Sequence, residues 1–195
     1  MNKNKNDNRI TDEELMKRFQ EGDESAFEEL VNRFSKRLMY FAYRYVNDRS
    51  VAEDIVQDTF LKVYQNKHSY RPIAKFSTWI FTITGNLAKT KLRKWKTRQT
   101  YSFSNFGERD WENTLEDEDE TENIERPTAA ADPKVIQRAL TNLPDHSKKV
   151  IILRDIQELS YDEISKITGV ALGTVKSRIN RARIKLQEEI NKILN

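Results

Sequence analysis

The chain of 195 residues contains no cysteine, which excludes disulfides and thiolate metal sites. Its two histidines, His68 and His146, are far apart in sequence, and no glycine-rich phosphate-binding loop is present. The N-terminal segment MNKNKNDNRI lacks the apolar core of a signal peptide, and no apolar run is long enough to span a membrane. These absences make an enzyme the weakest functional hypothesis. They predict no cofactor and no metal, and they indicate a soluble, cytoplasmic protein.

Charge is abundant, at 33% of all residues, and it is segregated along the chain. Residues 1–106 carry 20 basic and 13 acidic side chains, residues 107–133 carry 2 and 11, and residues 134–195 carry 12 and 7. Basic blocks indicate nucleic-acid partners, and an acidic strip with little hydrophobic periodicity is typical of a flexible linker. We therefore predict one helical domain over residues 9–103, a flexible acidic linker over 104–132 and a second helical domain over 133–195.

Local start and stop signals predict an all-α fold. Thr11, Ser50 and Ser160 each stand three residues before a glutamate, which is the spacing of a capping box. Gly169 is placed to end a short helix in a left-handed conformation. The last helix of the first domain is expected from about residue 77 toward residue 98, and no long strand-like alternation occurs.

A helix, a glycine turn and a second helix follow one another in SYDEISKITGVALGTVKSRINRARIKL, the pattern of a helix-turn-helix motif. On a helical wheel Val175, Ile179, Ala182 and Leu186 share one narrow arc, which must pack inward. The opposite side is a polar ridge edged by cations, which suits a major groove bounded by phosphates. The alternative is a basic helix with a solvated face, and a response-regulator-type activator would carry the same motif.

The segment from Thr59 to Gly107 contains no acidic residue and ten basic ones, six of them in AKTKLRKWKTR. Its interleaved aromatic residues are Phe76, Trp79, Phe81, Trp95, Tyr101 and Phe103. This composition is expected for binding single-stranded or melted nucleic acid, because cations follow the backbone while rings stack on bases. The alternative is that Phe76, Trp79 and Phe81 belong to the hydrophobic core.

The preceding segment, SVAEDIVQDTFLKVYQ, places Asp54 and Asp58 one helical turn apart, with Gln57 beside them. A catalytic role for these carboxylates would require a third ligand or a polarising partner, and none is evident nearby in the sequence. A solvated face and a docking face for a basic protein partner are both consistent with the composition.

The segments AEDIVQDTFLKVY and FSTWIFTITGNLAKTKLRKWKTR resemble region 2 of bacterial sigma factors of the extracytoplasmic-function (ECF) group. The segment LPDHSKKVIILRDIQELSYDEISKITGVALGTVKSRINRARIKL resembles region 4 of the same group. The resemblance implies a two-domain promoter-recognition subunit, with core RNA polymerase and promoter DNA as partners. Many relatives are restrained by an anti-sigma factor, although no residue in this sequence identifies one.

The resemblance also assigns roles to individual residues. Polymerase binding falls to one helix, at Asp54, Gln57, Asp58, Phe60 and Leu61. The resemblance assigns recognition and opening of the −10 element to the stretch from Lys75 to Arg93. Within this stretch, the residues expected near the captured single strand are Phe76, Ser77 and Trp79. Those expected near the upstream duplex are Asn86, Lys89 and Arg93. Recognition of the −35 element falls to Lys176, Ser177, Asn180 and Arg181, with Thr174, Arg178 and Arg183 nearer the phosphates.

Four places depart from the family's pattern. Ala171 replaces a frequent proline or serine at the turn, which gives up some capping. The loop expected to hold the flipped −10 base contains Pro72, Ile73 and Ala74, where relatives often have glycine or small polar residues. Gly85 interrupts a helix, at a cost of about 1 kcal/mol relative to alanine. Asn180 replaces a frequent aromatic residue or histidine, which shifts the expected −35 preference toward adenine.

Two other functions compete with this interpretation. A one-site transcriptional regulator would use residues 1–103 to sense a ligand or phosphate, and would bind DNA without polymerase. An interaction module would use the same surfaces only to hold a regulatory protein.

Overall fold

The computed structural model describes residues 10–100 and 132–194, with side chains for 10–94 and 132–194. These ranges form two helical domains with eight α-helices and no strand, which confirms the all-α prediction. No helix in them is both long enough and apolar enough to cross a membrane. Tyr101, Phe103, the side chain of Trp95 and the predicted linker up to residue 131 lie outside the described residues.

The first domain contains four α-helices and one short 3-10 turn. They are α1 (Asp12–Gln20), α2 (Glu24–Val46), α3 (Arg49–Gln65), the 3-10 turn (Lys67–Ser69) and α4 (Phe76–Thr100). The long helix α2 packs against each of the other three helices. Their shared core is rich in aromatic rings and includes Phe19, Phe34, Phe41, Phe76, Phe81, Leu30, Leu38, Ile55 and Ile80.

The second domain contains four further α-helices and a π-helical turn. They are α5 (Pro133–Asn142), α6 (Asp145–Ile151), the π turn (Ile152–Ile156), α7 (Tyr161–Thr168) and α8 (Leu172–Leu194). Helix α8 packs against α5, α6 and α7 and is the central element of this domain. The core is aliphatic and includes Leu140, Ile151, Ile152, Leu153, Ile164, Val175, Ile179 and Leu186.

Three of the predicted helix boundaries rest on the expected side chains. Thr11 Oγ1 accepts a hydrogen bond from the Glu14 N–H at 3.2 Å. Ser160 and Glu163 form a full capping box: Ser160 Oγ accepts from the Glu163 N–H at 3.2 Å, and Glu163 Oε2 accepts from the Ser160 N–H at 2.9 Å. Gly169 ends α7 with φ at 74°. These predictions are confirmed.

The predicted capping box at Ser50 is wrong, because α3 begins before that residue. Asp48 is the N-cap, and its Oδ1 accepts from the Val51 N–H at 2.9 Å. Glu53 forms an ion pair with Arg49 at 2.9 Å instead of reaching back to Ser50. An aspartate two residues earlier therefore supplies the acceptor that the serine was expected to supply.

The two domains pack against each other in what we call the closed arrangement. Helix α4 packs against α7, and α2 packs against α5 and the π turn. The buried guanidinium of Arg44 donates to the Pro133 carbonyl and to Gln137 Oε1, each at 3.1 Å. Gln157 Nε2 donates to the Arg37 carbonyl at 3.4 Å. The packing of α7 against α4 places the second domain against the segment that is predicted to bind melted DNA.

The position of the α3 cap provides a test with a matched control. Asp48→Ala removes the acceptor for a free N–H at the start of α3, and we expect it to lower the free energy of unfolding by about 1 kcal/mol. Ser50→Ala changes an exposed residue inside the first turn, and we expect less than about 0.5 kcal/mol. Urea unfolding followed by circular dichroism measures both, and equal losses would contradict the assignment.

Candidate nucleic-acid interface

The turn between α7 and α8 sets the orientation of the second helix in the motif. The Gly169 N–H donates to the Ser165 carbonyl at 2.8 Å, and Ser165 Oγ donates to the Val170 carbonyl at 2.6 Å. Helix α8 then begins at Leu172. Ser165 therefore stabilises the turn twice, once through its carbonyl and once through its hydroxyl.

Helix α8 has one buried face and one exposed face, as the wheel predicts. The buried face consists of Val175, Ile179, Ala182, Leu186 and Ile190. The exposed positions before Gln187 include Lys176, Arg181, Ile184 and Lys185, and the half-buried positions beside them are Thr174, Ser177, Arg178 and Asn180. The structure therefore gathers six of the seven residues predicted to contact the −35 element on the outer side of one helix.

Side chains on this outer surface are linked by local hydrogen bonds. Arg181 Nη2 donates to Ser177 Oγ at 3.1 Å, and Arg181 Nε donates to the Ser177 carbonyl at 3.3 Å. Ser177 Oγ in turn donates to the Thr174 carbonyl at 3.2 Å. These bonds orient the guanidinium along the exposed surface, where its planar donors suit the O6 and N7 acceptors of guanine.

Arg183 is the seventh predicted residue, and the structure contradicts its placement near phosphates. Its Nη2 lies 2.6 Å from Asp155 Oδ1, and its Nε lies 3.1 Å from Asp155 Oδ2. The side chain of Asp155 is fully buried and that of Arg183 is only 10% exposed. A phosphate contact would take the guanidinium away from a buried carboxylate. A helical wheel cannot detect this, because the carboxylate belongs to the π turn.

His146, to which sequence analysis assigns no role, lies beside the outer surface of α8. Burial, followed by the positive charges of Arg178 and Lys185, lowers the pKa of this imidazole. A phosphate at this position would offset the repulsion among these cations. No spacing in the sequence indicates this cluster, because α6 and α8 meet only in the folded domain.

Helix α1 holds the start of α4, and a second hydrogen bond closes the loop before it. Glu13 Oε1 accepts from the Phe76 N–H at 2.8 Å, and the Tyr70 hydroxyl donates to the Ala74 carbonyl at 2.8 Å. Between these bonds the chain projects outward, and Ile73 is 88% exposed. The loop is therefore fixed at both ends, and its middle residue, Ile73, is exposed to solvent.

A cavity of about 330 Å³ lies beside this loop, at the boundary between the two domains. It is lined by Tyr70, Arg71, Ile73, Ala74, Thr78, Trp79, Thr82 and Lys166. Lys166 belongs to α7, and a second residue of α7 also reaches the loop, since Lys75 Nζ lies 3.1 Å from Glu163 Oε1. The closed arrangement thus places α7 at the loop to which the resemblance assigns the flipped −10 base.

Phe76 belongs to the core, which contradicts its predicted place near a captured strand. Its side chain is fully buried, with edge contacts to Phe34 at 5.2 Å and to Tyr70 at 5.8 Å between ring centroids. Bringing this ring to the surface would empty the centre of the domain. Trp79 and Ser77 are half-buried, and Trp79 packs against Tyr70 at 5.3 Å. Ser77 and Trp79 are therefore partly accessible at the surface, whereas Phe76 is not.

The middle of α4 presents the remaining residues predicted to contact the −10 region. Asn86, Lys89 and Arg93 are exposed, and their spacing of three and four residues places them on one side of the helix. Ala88 and Leu92 are buried on the other side. Asn86, Lys89 and Arg93 therefore share the exposed side of α4.

Helix α3 carries the residues that the resemblance assigns to polymerase binding. Asp54, Gln57 and Leu61 are exposed, and Asp58 and Phe60 are half-buried. Both aspartates have a charge partner on α4. Lys91 Nζ lies 3.7 Å from Asp54 Oδ2 and 3.4 Å from Asp58 Oδ2. The sequence alone did not indicate this partner. This mixed acidic and apolar surface is suited to a protein partner.

Two helical domains, one of them a helix-turn-helix with a polar outer face, define a DNA-binding protein with two separate basic surfaces. Comparison with known families identifies the domains. The family model of Sigma-70 region 2 matches residues 30–98, and that of Sigma-70 region 4 matches residues 134–186.

Similar proteins match both domains together. The chain is 32% identical to the ECF RNA polymerase sigma-E factor of Haemophilus influenzae, over 95% of this chain and 98% of that protein. It is 31% identical to the ECF RNA polymerase sigma factor SigW of Bacillus subtilis, over 90% and 94%. The sigma factor RpoE of Bartonella quintana, solved in complex with the anti-sigma factor NepR, superposes with a TM-score of 0.66 at 28% identity, over 85% of this chain and 96% of that chain.

The chain belongs to the ECF family of RNA polymerase sigma factors. Members of this family are transcription initiation factors that act with core RNA polymerase at promoters, and they are not catalytic enzymes by themselves. The family resemblance noted in the sequence is therefore confirmed, and the two domains are its region 2 and region 4.

The buried ion pair in region 4 provides a test of the corrected role of Arg183. Arg183→Ala leaves the Asp155 carboxylate buried and unpaired, and we expect the free energy of unfolding to fall by about 3–5 kcal/mol. Arg181→Ala removes an exposed guanidinium, and we expect a change below about 0.5 kcal/mol. Thermal unfolding measures both variants, and an Arg183→Ala protein as stable as Arg181→Ala would disprove the pairing.

Proposed function

We propose that this sigma factor reads a −35 element through α8, and that it reads and helps to open a −10 element through loop 71–75 and α4. Residues 9–103 act as the −10 and polymerase-binding unit, and residues 133–195 act as the −35 unit. The observation that carries the proposal is the outer surface of α8, where polar and basic side chains lie opposite a fully buried apolar face. The site of action is the cytoplasm, where polymerase and promoter DNA meet.

Recognition of the −35 element combines two kinds of contact on α8. An α-helix fits the major groove of B-DNA, where each base pair presents a distinct pattern of donors and acceptors. Lys176 and Arg178 supply phosphate contacts whose strength depends on salt, because binding releases condensed counterions. Ser177, Asn180 and Arg181 lie between these cations on the helix surface and contact base edges. Asn180 favours adenine, whose N6 and N7 pair with the side-chain amide.

Opening of the −10 element depends on capturing unstacked bases. Separating DNA costs about 1.4 kcal/mol per base step, and stacking one base on an aromatic ring returns about 1–3 kcal/mol. Trp79 offers one ring, and residues of loop 71–75 line one side of the cavity beside it. Such a small number of contacts does not hold a bubble open alone, so core polymerase supplies the remainder.

Docking on core polymerase uses the exposed side of α3. Asp54, Gln57 and Asp58 provide charge and hydrogen bonds, and Leu61, at 53% exposed, provides apolar area for the partner to bury. The acidic segment over residues 104–132 suits a basic channel of the polymerase, since a polyanion is attracted to a path that otherwise holds nucleic acid.

An anti-sigma factor is a further partner that we infer for this chain. The solved relative from Bartonella quintana is bound to the anti-sigma factor NepR, and its fold superposes over most of both chains. A partner of this class would restrain the chain by covering surfaces that polymerase or DNA needs.

The −35 contacts are tested by run-off transcription with purified core polymerase over a promoter library. Lys176→Ala removes a phosphate contact, and we expect it to weaken all promoters about equally. Asn180→Ala removes a base contact, and we expect it to change the preferred −35 sequence, with a discrimination loss of about 1–3 kcal/mol at one position. If neither variant alters transcription, the recognition surface is placed wrongly.

The −10 contact is tested with a labelled single-stranded −10 oligonucleotide bound to the complete holoenzyme. Trp79→Ala removes the stacking ring, and we expect affinity to fall by about 5- to 150-fold, the equivalent of about 1–3 kcal/mol. Trp79→Phe keeps a ring, and we expect it to retain most of the affinity. Equal affinities for the alanine and phenylalanine variants would argue against stacking.

A further inference from the structure

The turn between α5 and α6 is fixed against helix α8, and it sets the position at which α6 begins. Asn142 Nδ2 donates to Glu189 Oε2 at 2.8 Å, and the neighbouring Leu143 is buried. Helix α6 starts at Asp145, three residues after this hydrogen bond, and packs against α8. His146, in the first turn of α6, is therefore held at a defined place beside α8.

Three cations of α8 lie beside this histidine. Arg178, Lys185 and Glu189 follow one another at intervals of seven and four residues, a spacing that places them along one line on a helix. Arg181 lies next to this line. The turn before α6 contacts the Glu189 end of the line, and the charges of all three cations act on His146.

The imidazole and the cations are accessible to a ligand. His146, Arg181 and Lys185 are exposed, and Arg178 is half-buried. Arg178 follows Ser177 directly, and one residue turns a helix by about 100°, so the cations border the side of α8 that is proposed to read bases. The histidine and these cations therefore lie at the edge of the outer surface of α8.

The remaining charged groups around α6 have other contacts. Lys148 Nζ lies 5.9 Å from the centre of the Tyr45 ring in the first domain. The end of the Lys149 side chain packs over Gly85. The carboxylate of Asp155 in the π turn is held in the buried ion pair. The charges that face the imidazole are thus those of α8 and of the aspartate that precedes it.

The surroundings of His146 favour its neutral form in the free protein. Burial, followed by the charges of Arg178 and Lys185, lowers the pKa of the imidazole, while Asp145 acts in the opposite direction. A phosphodiester carries one negative charge and only hydrogen-bond acceptors, whereas a protonated imidazole carries two N–H donors. A phosphate at this position would therefore favour the protonated ring.

We propose that His146, Arg178 and Lys185 hold one backbone phosphate at the edge of the −35 element, and that the His146 imidazole takes up a proton when this phosphate binds. The proton comes from solvent and occupies the ring nitrogen that lacks one in the neutral form. This inference rests on the proposed function of α8. It adds a contact from a second helix, and it makes −35 binding dependent on pH.

The sign of the pH dependence follows from the two states of the protein. With DNA bound, the pKa of His146 is higher than in the free protein, so binding takes up protons between these two values and affinity rises as pH falls. Below both values the ring is charged in each state, and the dependence ends. A pKa rise of about half a unit to one unit corresponds to about three- to tenfold in affinity.

Anisotropy of a labelled −35 duplex bound to the complete holoenzyme tests the proton uptake. We expect the parent to bind about three- to tenfold more tightly at about pH 6 than at about pH 8, at constant salt. His146→Gln should lose this factor. His68→Gln changes the second histidine, which is exposed in region 2, and should keep it. A His146→Gln protein with the pH dependence of the parent would overturn the proposal.

A lysine at the same position separates a phosphate contact from an effect on the fold. His146→Lys supplies a charge that does not titrate in this range, and we expect tight binding at both pH values. Each neutralised phosphate steepens the slope of log affinity against log salt by about 0.9. At about pH 8 the lysine variant should therefore show a steeper slope than His146→Gln, by up to about 0.9. Equal slopes would contradict a phosphate contact.

Single methylphosphonates, which are uncharged, identify the phosphate on the duplex. Placed one at a time along both flanks of the −35 element, one of them should remove the pH dependence of the parent. At that position His146→Gln should cause no further loss, because the two changes remove the same contact. If every substituted duplex keeps the full pH dependence, a backbone phosphate is not the partner of His146.

A duplex with a scrambled −35 element distinguishes this inference from the function on which it rests. A parent holoenzyme that binds the two duplexes equally would contradict −35 reading by α8. A parent that prefers the −35 duplex, but whose pH dependence is the same with glutamine at position 146, would contradict only the role of His146.

Discussion

The burial of one side of α4 is the constraint on which most of region 2 depends. Phe76, Ile80 and Phe81 fill the space between the helices of that domain, and Thr59 Oγ1 on α3 lies 3.3 Å from Thr84 Oγ1 on α4. Since these contacts fix the rotation of α4, they also fix which residues face outward. The exposed side of α4 and loop 71–75 then keep one geometry relative to each other.

Region 4 depends in the same way on a single helix, but its outer surface is supported by a buried ion pair. Asp155 and Arg183 join the π turn to α8 through two hydrogen bonds. A cation that looks available for DNA in the sequence is thus used inside the protein. Arg181, which does face outward, is held by a hydrogen bond to Ser177 on the same helix.

Features encoded by neighbouring residues were predictable, and features that join distant segments were not. The caps at Thr11 and Ser160, the glycine stop at Gly169 and the buried face of α8 all follow from spacings of a few residues. The error at Ser50 arose because a better acceptor lay two residues earlier. Arg183 and Phe76 were misplaced because their partners come from other helices, and a helical wheel treats each helix alone. The resemblance of the two motifs, by contrast, identified the family directly.

The contact between the two domains, at Arg44 and Gln137, forms within one chain. The covalent connection between Thr100 and Asp132 keeps the domains in one molecule, and a connection of moderate length gives effective concentrations near the millimolar range. A contact too weak to detect between separate molecules therefore suffices to keep a tethered pair together most of the time. A domain supplied in trans would have to reach that concentration to compete. Covalent connection therefore lets a contact between domains form without the large buried area that separate molecules would need.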